Sequence, residues 1–151
     1  MKTYNLGFIA CGRRNQAYAR NLRRQYGDRI HITAICDTDL QAAEDFRNQF
    51  GHPDTAVYSD FRDLIKNHQS IDGLLIATPN YLHEEPAVMA FEHGINILLA
   101  KPLSHTAESG HRIAEAYHKS TSRGTMGFVL RSTTFYRPIM NMVHGGRVGQ
   151  G

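Results

Sequence analysis

The chain contains no tryptophan, two cysteines, five prolines and no long apolar run, and each scarcity excludes something. Cys11 and Cys36 cannot make a multi-bridge disulfide framework, and they lack the paired spacing of a zinc site. Each stands near the end of an apolar run, where a small buried hydrophobe is expected. A reducing cytoplasm suits them, so a cytoplasmic location is expected. No stretch approaches the roughly 18 apolar residues of a membrane span, so no membrane partner is expected. Met1-Lys2-Thr3-Tyr4 runs directly into a strand-like segment without a signal-peptide pattern. His105, His111 and His118 lack ligand spacing, no H-E-x-x-H occurs, and no serine or cysteine sits in a nucleophile elbow. No metal is expected. Charge of one sign is scarce too: 17 basic against 14 acidic side chains give a net charge of +3. The basic residues are spread along the chain, so no nucleic-acid partner is expected. The tightest pairs, Arg13-Arg14 and Arg23-Arg24, lie around one predicted helix.

What is present is the material of one domain: 151 residues, 41% hydrophobic and 21% charged, enough for a single core. Short β-rich runs alternate with amphipathic stretches from end to end. Strands are predicted at Tyr4–Cys11, Ile30–Asp37, Ala56–Tyr58, Ile71–Ala77, Ile95–Leu99 and Thr125–Leu130. Helices are predicted at Asn15–Tyr26, Leu40–Phe50, Phe61–Asn67 and Pro86–His93, then from a Thr106 cap through Tyr117, and at Phe135–His144. Strands separated by helices of about ten residues imply βαβ units and a parallel sheet covered on both faces. The fold class is therefore α/β, a doubly wound, three-layer Rossmann sheet of order 3-2-1-4-5-6.

In such sheets ligands bind outside the carboxyl ends of the strands, near the switch point between strands one and four. After strand one comes Ala10-Cys11-Gly12-Arg13-Arg14-Asn15, a degenerate G-x-G-x-x-G. It keeps the central glycine, which lets backbone approach a pyrophosphate. Ala10 can replace the first glycine if the turn demands no positive φ, and Asn15 adds bulk where helix and strand pack closely. Asp37 stands 25 residues beyond Gly12, placed to accept from adenosine ribose hydroxyls; otherwise it is a helix cap, a task Asp39 would do equally well. Lys101 is either a functional cation or a solvated lysine before a turn proline.

The segments Ala77-Thr78-Pro79-Asn80-Tyr81-Leu82-His83 and Ala100-Lys101-Pro102, with Gly94 between them, resemble the Gfo/Idh/MocA family of oxidoreductases. So do Gly127-Phe128-Val129-Leu130-Arg131, Phe135-Tyr136-Arg137 and Gly146-Arg147-Val148-Gly149. The resemblance implies an NAD-dependent enzyme, with NADP the alternative cofactor, transferring hydride between nicotinamide and a sugar, polyol or related hydroxy compound. It implies that Ala10, Gly12, Arg13 and Arg14 hold the pyrophosphate and Asp37 the ribose. Thr78, Pro79, Asn80 and His83 would line the nicotinamide side, and Lys101 would reach nicotinamide and substrate as the catalytic residue. Desolvation at the sheet mouth would lower the pKa of that lysine. Ala100 stands where the family has glutamate; a non-catalytic sensor of the same fold is the alternative. Residues 1–127 are then the dinucleotide-binding domain and 128–151 the start of a truncated substrate domain, in a protein expected to be a homo-oligomer. The last helix carries Phe135, Ile139, Met140, Met142 and Val143, a large apolar load expected to lack its cover. The chain alone is expected to be inactive.

Overall fold

Successive residues of a strand point to opposite faces of a sheet, and in the central strands both sets are apolar. In β1 (Tyr4–Ile9), Phe8 points to one side and Ile9 to the other; in β2 (Ile30–Cys36), Ile35 opposes Ala34 and Cys36; in β4 (Gly73–Ile76), Leu75 opposes Leu74 and Ile76. Such strands are stable only with helices on both faces. The computed structural model describes residues 2–67 and 70–149 and shows that arrangement. Residues 1 and 68–69 of the first predicted unit and residues 150–151 of the second lie outside the described residues.

Helices α1 (Arg13–Tyr26) and α2 (Leu40–Phe50) cover one face, where Phe8, Ala19, Ile35, Ala43, Phe46, Phe50 and Leu75 form one core. Helices α3 (Phe61–Asn67), α4 (Glu84–Glu92) and α5 (Ala107–Lys119) cover the other, with Ile9, Leu64, Ile65, Leu74, Ile76, Ala90, Phe91 and Ile113. With β3 (Ala56–Tyr58), β5 (Ile97–Leu99) and β6 (Gly124–Met126), the strands make one parallel sheet of order β3-β2-β1-β4-β5-β6. The expected doubly wound order is the observed one.

Several boundaries differ from expectation: β4 and β5 start two residues late, at Gly73 and Ile97, and α4 starts two residues early, at Glu84. Three others bear on the site. Strand six stops at Met126 instead of Leu130, and Val129–Ser132 forms a 3₁₀ turn. The reason is the neighbour: Leu99 ends β5, and its carbonyl accepts from Gly127 N–H at 2.8 Å, the last rung of the ladder. Strand one stops at Ile9, because the chain turns at Ala10. Helix α1 starts at Arg13, two residues before the predicted start at Asn15. Beyond β6, α6 (Tyr136–His144) and the turn before it leave Phe128, Leu130, Phe135, Ile139 and Met140 exposed.

Candidate functional site

Strand register decides which residues meet. Tyr58, Cys36, Ile9, Ile76, Leu99 and Met126 are paired across the sheet in one row. Since all strands are parallel, Ser59, Asp37, Ala10, Ala77, Ala100 and Gly127 follow on a single edge. Gly12, Asp37, Thr78 and Lys101 therefore share the carboxyl edge of the sheet, as expected. A cleft of about 700 Å³ opens there between the β1, β2, β3 and β4 ends.

Of the residues expected to bind cofactor, Ala10, Gly12, Asp37, Thr78 and Pro79 line this cleft. Arg13, Arg14, Asn80 and Lys101 are exposed residues outside its lining. The desolvation expected at Lys101 is not supplied by the described residues, since the side chain is exposed. His83 is a buried strut: Nε2 lies 3.0 Å from the Thr78 carbonyl and Nδ1 2.9 Å from that of Pro102. It braces the turn after β4 against the Lys101-Pro102 segment instead of facing the cleft.

The turn after β1 departs from expectation at two places. Ala10 has φ +69°, in the left-handed region that a Cβ disfavours by about 1–2 kcal/mol. The demand for positive φ thus falls on a residue that is not glycine. Asn15 is fully buried, and its Nδ2 donates to the carbonyls of Ile9 at 2.9 Å, Ala10 at 2.7 Å and Leu75 at 3.4 Å. It is a tie, not mere bulk.

Asp37 and Asp39 divide the two tasks that either could have done. Asp39 caps α2, accepting from the amides of Gln41 at 3.0 Å and Ala42 at 3.3 Å. Asp37 is left at the cleft wall, where Oδ2 accepts from Cys11 N–H at 2.7 Å and Oδ1 from Asp39 N–H at 3.0 Å. Each oxygen keeps a lone pair for a further donor. Behind them Cys11 and Cys36 are buried and free. Burial first, then the Asp37 charge, pushes both thiols up to about 12, which makes them the inert small hydrophobes expected.

Three features fit an anionic, hydroxyl-bearing ligand. Helix α1 has no side-chain cap and no acidic residue in its first turn, but carries Arg13 and Arg14 there. Cations at the positive pole of a helix are unfavourable unless an anion joins them. Gly12 has φ −68°, and a Cβ there would meet nothing within 4 Å; neither strain nor packing within the chain requires glycine, so close approach from outside remains as the reason. Thr78 Oγ1 is buried without a partner.

Sequence reasoning missed the β3 side of the cleft, where Thr38, Ser59, Asp60, Phe61, Arg62 and Glu85 line the wall. Arg62 is the sole cation among the lining residues. Its Nε donates to Glu85 Oε1 at 2.8 Å, and its Nη1 lies 3.2 Å from Asp60. The same rule that located Asp37 applies to the residues after strand three, though a three-residue strand is an inconspicuous signal. Among the described residues, no group of three or more His, Cys, Asp or Glu side chains could hold a metal ion. No helix among them is long and apolar enough to cross a membrane.

Comparison with known proteins agrees with this geometry. The family model of the Gfo/Idh/MocA oxidoreductases, described by its NAD-binding Rossmann fold, matches residues 4–128. The chain is 30% identical over 151 residues to inositol 2-dehydrogenase of Burkholderia multivorans, covering 97% of this chain and 43% of that protein. It is 30% identical over 104 residues to 2,7-anhydro-N-acetylneuraminate hydratase of Mediterraneibacter gnavus, covering 69% of this chain and 26% of that protein. The crystal structure of myo-inositol 2-dehydrogenase from Lactobacillus plantarum superposes with a TM-score of 0.86 at 25% identity, covering 98% of this chain and 43% of that one. The chain thus spans less than half the length of each of these relatives.

Proposed function

The chain belongs to the Gfo/Idh/MocA oxidoreductase family, and on that premise we propose that it binds NAD in the carboxyl-edge cleft and serves a polyol or sugar dehydrogenase. The uncapped, arginine-flanked N-terminus of α1 beside an unobstructed Gly12 is the observation that carries the reading. Gly12 and the first amides of α1 would take the pyrophosphate, with Arg13 and Arg14 adding positive charge. Asp37 would accept from the adenosine ribose hydroxyls. Thr78 Oγ1 and Pro79 would meet the cofactor farther along the cleft.

NAD is favoured over NADP. Asp37, Asp60, Glu84 and Glu85 oppose a 2′-phosphate, and Arg62, the one cation of the wall, is already engaged by Asp60 and Glu85. When bound, the cofactor accepts or donates hydride. Lys101, at the end of β5, would orient a substrate hydroxyl and move its proton. Ala100 deprives that lysine of a neighbouring carboxylate; its own amide donates to the Ile76 carbonyl at 2.9 Å. Inositols and related polyols or sugars are the proposed substrate class, on the strength of the relatives' names. All the relatives reported above are named as enzymes, so the catalytic reading is preferred to a sensor.

Residues 1–127 are proposed as the dinucleotide-binding domain and 128–151 as the beginning of a substrate domain, with homo-oligomers as the working form. The exposed side chains of Phe135, Ile139 and Met140 support a surface meant to be covered. Calorimetric titration with NADH and NADPH tests the cofactor reading: saturable binding with NADH at least tenfold tighter is expected, and tighter NADPH binding would reverse the assignment.

A further inference from the structure

The degenerate glycine turn contains two substitutions that look like independent losses. Their geometry links them. A first-position glycine reaches a left-handed backbone without penalty, whereas Ala10 is held at φ +69° against the preference of its Cβ. A side chain in that region persists only when its surroundings over-determine it. Two contacts hold the chain on either side of the strained peptide: Ala10 N–H donates to the Cys36 carbonyl at 2.8 Å, and Cys11 N–H to Asp37 at 2.7 Å. The carbonyl of Ala10 itself is held by Asn15 Nδ2 at 2.7 Å, and the same nitrogen reaches Ile9 and, across to β4, Leu75.

We propose that Asn15 is the positioning residue of the dinucleotide turn, its buried carboxamide holding Ala10 left-handed and so aiming Gly12 and the N-terminus of α1. Where the usual turn relies on glycines that lack side chains, this one uses a residue that clamps. The clamp spans β1 and β4, the pair between which the strand order reverses and the cleft opens. Asn15 is fully buried and is not itself a lining residue of the cleft; it holds the backbone of Ile9 and Ala10, which are, and so acts through them. The link to cofactor affinity rests on the NAD reading above; the link to turn geometry does not.

The test is a cycle of Asn15→Ala, Ala10→Gly and the double variant, read by amide hydrogen exchange of the unliganded chain and by calorimetry with NADH. Asn15→Ala alone should speed exchange at the Ala10 and Cys11 amides at least tenfold more than at Leu75 and Ile76 in the core, and weaken NADH about tenfold. Adding Ala10→Gly should return both readings to within about threefold of the unmodified chain, because glycine needs no clamp. A purely structural Asn15 would speed exchange throughout the sheet and gain nothing from glycine at position 10. Equal losses in both backgrounds, or unchanged exchange in Asn15→Ala, would overturn the proposal. If Asn15→Ala does not fold, the double variant must fold with a protected turn; its failure would overturn the proposal as well. Should the unmodified chain bind no NADH, the NAD reading fails while the exchange cycle still decides the role of Asn15.

Discussion

Two hollows open at opposite edges of the sheet, and they differ in almost everything but size. The carboxyl-edge cleft measures about 700 Å³; the other, about 540 Å³, lies where α1 and α2 end and β2 begins, among Leu22, Arg23, His31, Phe50 and His52. Because strands and helices each run one way, helix N-termini collect at the first edge and C-termini at the second. Identical residues consequently mean different things. Arg23 and Arg24, in the last turn of α1, complement the negative pole of the helix, and Arg23 also donates to the Gln49 carbonyl at 3.3 Å. Arg13 and Arg14 stand at the positive pole, where they oppose it. Volume does not mark the site; the alignment of backbone dipoles does.

The largest expected contrast is between Asp37→Ala and His52→Ala. Hydrogen bonds to a charged group contribute about 1.5–3 kcal/mol, so Asp37→Ala should weaken NADH roughly ten- to a hundredfold, while His52→Ala leaves affinity within twofold. Isothermal titration distinguishes them, and equal effects would dissolve the contrast. Next come the arginine pairs. Arg13→Gln with Arg14→Gln should weaken NADH several-fold yet leave the unliganded chain as stable or slightly more so. Arg23→Gln with Arg24→Gln should cost a few tenths to about 1 kcal/mol of stability and leave NADH unaffected. Urea unfolding beside titration checks both signs.

The two thiols sharpen the picture of the cleft floor. Their ordinary value is 9.0 and the folded one about 12, so the unfolded chain ionises first as pH rises. Their contribution is constant below pH 9 and is lost as pH climbs from 9 toward 12. Below pH 9, a disulfide reagent should label Cys11 and Cys36 only on unfolding; rapid labelling of the native chain would contradict the burial. The smallest expected effect is that of Lys101→Ala, which should change NADH affinity threefold or less, since the side chain stands exposed outside the cleft lining.

The sheet order and the shared edge were legible because period-2 and period-3.6 patterns alternate cleanly, and a parallel sheet leaves little topological choice. What escaped depended on neighbours remote in sequence. Phe128-Val129-Leu130 reads as strand, but Leu99 offers the last carbonyl to pair with. Whether Ala10 would need positive φ is a property of the turn, not of the alanine. His83 is polar and sits in a motif, which suggests a cleft wall; only the approach of Pro102, 19 residues on, turns it into a strut. Asp37 and Asp39 were interchangeable as letters, and the bend after Cys36 separated their roles.

The most direct test of the cofactor cleft is a map of backbone amide chemical shifts as NADH is added to the ¹⁵N-labelled chain. Saturable changes are expected to be largest at Cys11, Gly12, Arg13, Asp37 and Thr78, along the carboxyl edge. Changes centred instead on Leu22, His31 and His52, or none that saturate, would contradict the assignment of the site.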